Sequence, residues 1–229
     1  MEIYLAATGA ELLHLASYQG SLAYMACHFS SSGRGISGLP DSLPNGSMLM
    51  LTDEFPVHDH DPEQIACELL QAATTLSCGH ILLDFQRADE PKTTQIASAI
   101  LNKATIPVGI SAQYAEHFQC PVLVSPSPLW TPLAEQLAPW SGREIWLEAV
   151  LENASVLVTE EGSRYIAGDH PREAPHFCEE LSVSYSSCAT SSGVEFHLHR
   201  GKRELAHLLD RAKQAGVSTA IGLYQQLGK

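Results

Sequence analysis

The residues of this 229-residue chain best suited to chemistry are acids, amides and aromatics that fall where apolar runs end. Asp53 and Glu54 follow the run at residues 48–51. Asp84, Gln86 and Arg87 close the run that begins at residue 80. Gln113 and Tyr114 follow residues 107–111, and Ser125, Ser127 and Trp130 follow residues 121–124. Glu148 lies inside residues 144–150, and Tyr224, Gln225 and Gln226 close the last run. If these runs are the parallel strands of a β/α barrel, all of these residues sit at the carboxyl rim, where barrels place their sites. Carboxylates and amides take sugar hydroxyls and aromatic faces stack on pyranose rings, so such a rim suits a sugar. Asp84, Glu148 and Glu54 are the candidate catalytic residues. Asp53, Gln86, Tyr114, Trp130 and Tyr224 are the candidate ligand wall.

A second chemistry is written in histidines. His58-Asp59-His60-Asp61 follows one run and His197-Leu198-His199 lies in another. Two imidazoles at i and i+2 of a strand face the same side and can share a metal. Against this, His58 lies beyond Pro56, Asp61 suits a helix cap, and His197 and His199 alternate with apolar neighbours as on a half-exposed strand. The reading therefore assigns no metal and no cofactor, with a metal-dependent hydrolase built on these histidines as the alternative. Nucleophilic catalysis finds no Gly-x-Ser-x-Gly elbow. Cys27 and His28 are adjacent in a run, so they point to opposite faces.

The stretch Gly79-His80-Ile81-Leu82-Leu83-Asp84-Phe85-Gln86 resembles the fourth-strand signature of chitinase-like glycoside hydrolases (family eighteen), Asp-x-x-Asp-x-Asp-x-Glu. The resemblance covers eight residues. It implies a β/α barrel, an oligosaccharide ligand, a final Glu acting as general acid, and a neighbouring Asp supporting the attacking acetamido group of the substrate. Asp84 stands at the third acidic position. Gln86 stands at the acid, and Leu82 and Gly79 at the other two Asp. An amide cannot protonate a glycosidic oxygen, so general-acid catalysis at position 86 is lost. The resemblance then implies an inactive relative or one using another acid, for which Glu54 and Glu148 are the candidates. A non-catalytic interaction scaffold on the same barrel is the remaining alternative.

The elements that must position these residues alternate. Apolar runs at 3–7, 21–29, 48–51, 80–85, 107–111 and 121–124 read as strands. Helices are expected at 61–79, with Asp61 as N-cap and Pro62 at the first position, and at 93–103. Strand–helix alternation with continuous apolar strands favours a parallel sheet buried on both faces. The Gly-rich loop at 30–38 matches Gly-x-Gly-x-x-Gly in letters, but Pro40 and Pro44 deny it the following helix of a dinucleotide site. Residues 144–150 and 155–160 read as a strand pair, 164–166 as a third strand, and 181–185 with 194–199 as another pair. A helix at 202–215 and a closing strand at 219–224 complete the chain. The fold class is α/β: a small or irregular TIM-like β/α barrel with antiparallel strands in the C-terminal half, as one domain over residues 1–229.

Composition sets the outer limits. A formal net charge of −13 disfavours nucleic acid and anionic membrane surfaces as partners. Only 17% of residues are charged against 45% hydrophobic, which excludes disorder. None of the six cysteines forms a Cys-x-x-Cys pair, and the start of the sequence lacks the pattern of a secretory signal. These features read as reduced thiols and a cytoplasmic protein. The implied partner is a small-molecule or oligosaccharide ligand.

Overall fold

The computed structural model describes residues 1–15, 18–57, 59–87, 90–166 and 174–228. The chain opens with strand β1 (Glu2–Ala7), the short helix α1 (Gly9–Leu12), β2 (Ser21–Phe29) and the two-residue β3 (Ile36–Ser37). Then come β4 (Met48–Thr52), α2 (Pro62–Thr75), β5 (His80–Asp84), α3 (Pro91–Lys103), β6 (Val108–Ser111) and β7 (Val122–Val124). After α4 (Leu133–Leu137) and β8 (Ile145–Ala149) there is an all-strand excursion: β9 (Glu152–Thr159), β10 (Gly162–Ile166), β11 (His176–Cys178), β12 (Val183–Thr190) and β13 (Gly193–Arg200). The chain ends with α5 (Lys202–Gln214), β14 (Thr219–Leu223) and α6 (Tyr224–Leu227).

Eight strands run parallel in the order β1, β2, β4, β5, β6, β7, β8, β14, and β14 pairs back to β1. The sheet is therefore a closed barrel, and β3 is a short antiparallel addition outside β2. The excursion forms a separate antiparallel sheet of five strands, ordered β10-β9-β13-β12-β11. It is inserted between β8 and α5. Residues 144–150 were expected to pair with 155–160. They form β8 instead, which pairs parallel to β7 and β14. The continuous apolar run Ile145-Trp146-Leu147 is the reason: both of its faces are buried, as a barrel strand requires.

Local chemistry explains the helices. Asp61 caps α2 by accepting from the Glu63 N–H at 2.9 Å, and Pro62 occupies the first turn. The helix ends at Thr75, before the expected Gly79, because Ser77 takes a positive φ of 55°. In α5, Glu204 reaches back to the Gly201 N–H at 3.2 Å, and Leu205, Leu208 and Ala212 are buried. The Gly-rich loop is a folded reversal. Gly38 has φ of 78°, and a Cβ there would lie 2.0 Å from the Ala26 carbonyl.

Strand pleating divides the core in two. Outward residues such as Leu49, Leu51, Ile81 and Leu83 pack under Ile65, Leu69, Ile96 and Ile100 of the helices. Inward residues fill the barrel: Tyr4, Met48, Met50, Leu82, Leu123, Trp146 and Ile221. Trp146 is fully buried there. It fits because residue 109 has no side chain, since a Cβ at Gly109 would lie 2.4 Å from the indole. Beneath it, Trp146 Nε1 donates to Glu144 at 3.0 Å.

Among the described residues no disulfide forms. Burial pushes the Cys27 thiol up to about 12 and that of Cys78 up to about 11. No helix among the described residues is long and apolar enough to cross a membrane.

The Gly109 notch is testable. Gly109→Ala forces a methyl into the indole inside a closed barrel, and the expected cost is about 1–3 kcal/mol of stability. Chemical denaturation of both proteins measures it. An unchanged midpoint would show that the indole has room to move.

Candidate functional site at the barrel mouth

The parity that sends Leu82 and Trp146 inward also turns inward a residue at or next to the carboxyl end of several strands. On β5 that residue is Asp84, on β6 Ser111, and on β8 Glu148. Ser125 follows β7 in the same phase. These side chains meet at the mouth, beside a cleft of about 530 Å³ whose lining includes Gln86, Ser111, Ser125, Trp140 and Glu148.

Asp84 is half-buried. Gln86 Nε2 donates to its Oδ1 at 2.6 Å, and Ser111 Oγ lies 3.4 Å from the same atom. Ser111 also receives the Phe85 N–H at 2.8 Å, so it stitches β5 to β6 directly under the carboxylate. Burial raises the Asp84 carboxyl above the ordinary range. The Gln86 hydrogen bond opposes that rise, the charge of Asp53 adds to it, and Ser111 opposes it. Glu148 is raised too, first by burial. A hydrogen bond from Ser125 opposes the rise, and the charges of Asp84 and Glu152 reinforce it. The charge of Asp84 thus reaches Glu148 across the mouth and resists its ionisation.

Asp53 has a different task. It is buried, and its two carboxylate oxygens accept the N–H groups of Gln86 and Arg87, each at 2.8 Å. Arg87 returns its Nε to the Asp53 carbonyl at 2.7 Å and its Nη2 to the Glu54 carbonyl at 2.8 Å. Gln113 donates to the Phe85 carbonyl and Tyr114 to the Arg87 carbonyl. Residues 85–87 are therefore tied from the ends of β4 and β6, and that fixes the direction of Gln86.

The other expected site residues fall elsewhere. Tyr114 is buried, edge-on to Phe85, and belongs to the core. Tyr224 packs with Leu5, Ala7, Leu15 and Leu22 on the outside of β1 and β2. Trp130 joins the small core of the inserted sheet, its ring tilted 30° to that of Tyr165. Glu54 is exposed on the loop after β4 and is held through its carbonyl. Arg200, at the end of β13 and two residues before Lys202, is buried and donates to the Pro126 carbonyl at 2.9 Å.

Three residues of the mouth escaped sequence reasoning. Gln136 and Trp140 line the cleft from the α4 region. Gln136 holds the Thr131 carbonyl through Nε2, and its Oε1 is buried with no hydrogen-bond partner. Glu152, at the start of β9, accepts from Ser127 at 3.0 Å. Only the strand-end rule carried a signal, and it reaches neither a helix nor an inserted sheet.

The histidines also sort differently. His58 lies outside the described residues. His60 is buried against Phe29, with neither ring nitrogen hydrogen-bonded. His197 and His199 do share a face of β13, but they have separate partners, Ser155 at 2.9 Å and Asn153 at 2.5 Å.

The raised carboxyls set the sign of a pH effect. A carboxyl whose pKa is raised by folding binds more protons in the native state, so stability falls as pH climbs from the ordinary carboxylate value to the raised one. Glu148→Gln removes that penalty at similar volume. The variant should melt higher than wild type at neutral pH, and the gap should close below the ordinary carboxylate range. Melting temperatures across pH measure this. A gap that stays constant with pH would assign the difference to packing.

No family model matches the sequence, and no curated protein does so. Solved structures do match it in fold. A chitinase from Cycas revoluta in complex with (GlcNAc)3 superposes with a TM-score of 0.58 at 10% identity, over 97% of this chain and 94% of that one. The Bacillus cereus spore cortex-lytic enzyme SleL gives 0.57 at 8% identity, over 96% and 70%. A chitinase from Chromobacterium violaceum gives 0.53 at 11% identity, over 96% and 93%. In fold, the chain resembles the chitinase-type barrels over nearly its whole length.

Proposed function

We propose that the barrel mouth binds an oligosaccharide of N-acetylated sugars. The carrying observation is the cleft at the carboxyl end of the barrel lined by Glu148 and Gln86, with Asp84 held directly behind Gln86 by its Nε2 hydrogen bond. A partly buried carboxyl beside an amide offers both acceptors and donors to sugar hydroxyl and acetamido groups. The buried, unpartnered Oε1 of Gln136 at the same cleft is a further acceptor suited to a hydroxyl. Neighbouring folds point to the same ligand class, since the Cycas revoluta chitinase has been crystallised with (GlcNAc)3 and with allosamidin. A form of that enzyme with Gly-to-Trp and Glu-to-Gln substitutions holds (GlcNAc)4, so loss of a carboxyl in such a barrel is compatible with sugar binding.

In this reading Gln86 stands where a general acid is expected, and the barrel binds without using that position for proton transfer. Asp84 orients the ligand through the proton-donating groups it faces. A second reading keeps turnover and assigns the acid to Glu148, because burial and two neighbouring carboxylates favour its protonated form. The barrel and the inserted sheet act as one unit in both readings. This is supported by the Arg200–Pro126 and Ser127–Glu152 hydrogen bonds between them.

Titration calorimetry with chitin oligomers separates these readings. Wild type should bind, Asp84→Ala should bind at least tenfold more weakly, and Gln86→Glu should gain measurable hydrolysis. The gain has a physical basis. A carboxyl at residue 86 would sit where Gln86 Nε2 now lies, 2.6 Å from Asp84 Oδ1, so the pair would share a proton and supply the missing acid. Wild-type hydrolysis lost in Glu148→Gln would select the second reading. Absence of any binding by wild type would end both.

A further inference from the structure

The inserted sheet has one apolar face and one polar face. The apolar face carries Val156, Leu198 and Val183 over Leu129. On the opposite face, Glu195 and His197 stand at i and i+2 of β13. Cys188 of β12 is the cross-strand partner of Glu195, and Ser186 that of His197. Ser155 of β9 flanks His197 from the other side. Two neighbouring strands, β12 and β13, thus bring a thiol, a carboxylate and an imidazole to one spot. One ligand atom from each of Cys188, Glu195 and His197 lies within 4.8 Å of the others.

We propose that Cys188, Glu195 and His197 form a divalent-metal site, with zinc as the ion their chemistry fits best. Thiolate, imidazole and carboxylate together are a borderline-soft donor set, and zinc takes all three in a tetrahedron. One thiolate and one carboxylate also neutralise a divalent ion.

Two independent observations point to a ligand here. His197 Nε2 and Glu195 Oε1 are 3.2 Å apart, yet Nε2 is buried without a hydrogen bond. The carboxylate oxygen therefore lies off the ring N–H axis, as when two lone pairs converge on a third centre and not on each other. Zinc distances put the N–O edge of a tetrahedron at about 3.3–3.5 Å, close to that separation. Second, Ser186 Oγ beside His197 is also buried without a partner. A water in the fourth metal position would satisfy it. The far side of the imidazole is already organised. Ser155 Oγ lies 2.9 Å from His197 Nδ1, and with Nδ1 as the donor it leaves the Nε2 lone pair for the metal. The side chains of His197 and Glu195 retain 11% and 25% exposure, so an ion can enter from solvent. His199, the other member of the His-x-His pair, points to Asn153 and takes no part.

This site is separate from the barrel mouth and does not depend on the sugar reading. Its test uses the full chain, stripped with chelator and then exposed to zinc alone or cobalt alone. Wild type should retain about one equivalent of zinc through gel filtration, and its cobalt form should show thiolate-to-cobalt charge-transfer absorption. Cys188→Ser should abolish that absorption and weaken zinc binding at least tenfold, and Glu195→Gln should weaken it similarly. Ser155→Ala should weaken it by roughly ten- to a hundredfold through loss of imidazole positioning. Cys67→Ser, on an exposed thiol of α2, should leave binding and spectrum unchanged. Failure of wild type to retain zinc, or full retention by Cys188→Ser and Glu195→Gln, would overturn the proposal. So would loss of the cobalt band in Cys67→Ser.

Discussion

Closure of eight pleated strands into a cylinder decides which side chains enter its mouth. Once β1 pairs with both β2 and β14, no strand can slip by one residue without turning its apolar set inside out. Trp146 anchors that register on β8, because the indole fits only into the space left by Gly109 on β6. Two positions above Trp146 the same parity delivers Glu148, and two above Leu82 it delivers Asp84. The meeting of the two carboxyls is thus a consequence of how the interior is filled. A lost filler below would be felt as a misaligned acid above.

Pleat parity reaches only the last strand residue. Beyond it, Gln86 depends on Asp53. A buried carboxylate accepting two backbone N–H groups is a strong fixed point, because either N–H left without an acceptor would be costly in that setting. Asp53 acts through the backbone of its neighbours, and Arg87 closes the loop on the Asp53 carbonyl in return. The mouth therefore has a layered order. Ser111 and Asp53 hold the frame, Gln86 and Glu148 line the cleft, and Asp84 backs Gln86.

Much of this frame was legible in the chain. Capping at Asp61-Pro62, the apolar faces of α2 and α5, and the uninterrupted strands from residue 48 to 124 each follow from local chemistry, and together they imply a parallel barrel. Asp84 and Glu148 were legible because strand ends are. What was not legible depends on distant partners. The assignment of β8 to the barrel required knowing that both its faces are covered. Tyr114 reads as a rim aromatic until Phe85 and the Arg87 carbonyl are seen to claim it. Arg200 reads as a solvated charge, yet its guanidinium is drawn under the β7 loop by the Pro126 carbonyl. Cys188 is separated from His197 by a hairpin, and only the register of β12 on β13 puts them side by side.

The buried arginine bears on what the mouth can accept. The charges of Asp84 and Glu152 raise the Glu148 carboxyl, and that of Glu152 also favours the cationic form of Arg200. Burial works against the charge of Arg200, and the charge of Glu152 opposes that effect, alongside the hydrogen bond to the Pro126 carbonyl. Among the described residues that line the cleft, Glu148 is the carboxyl and none is a cation. A phosphorylated or carboxylated ligand would meet like charge in a partly desolvated site, where repulsion is weakly screened. A neutral ligand rich in hydroxyl and amide groups would meet no such barrier. The electrostatics of the mouth therefore weigh against anionic ligands before any shape is considered.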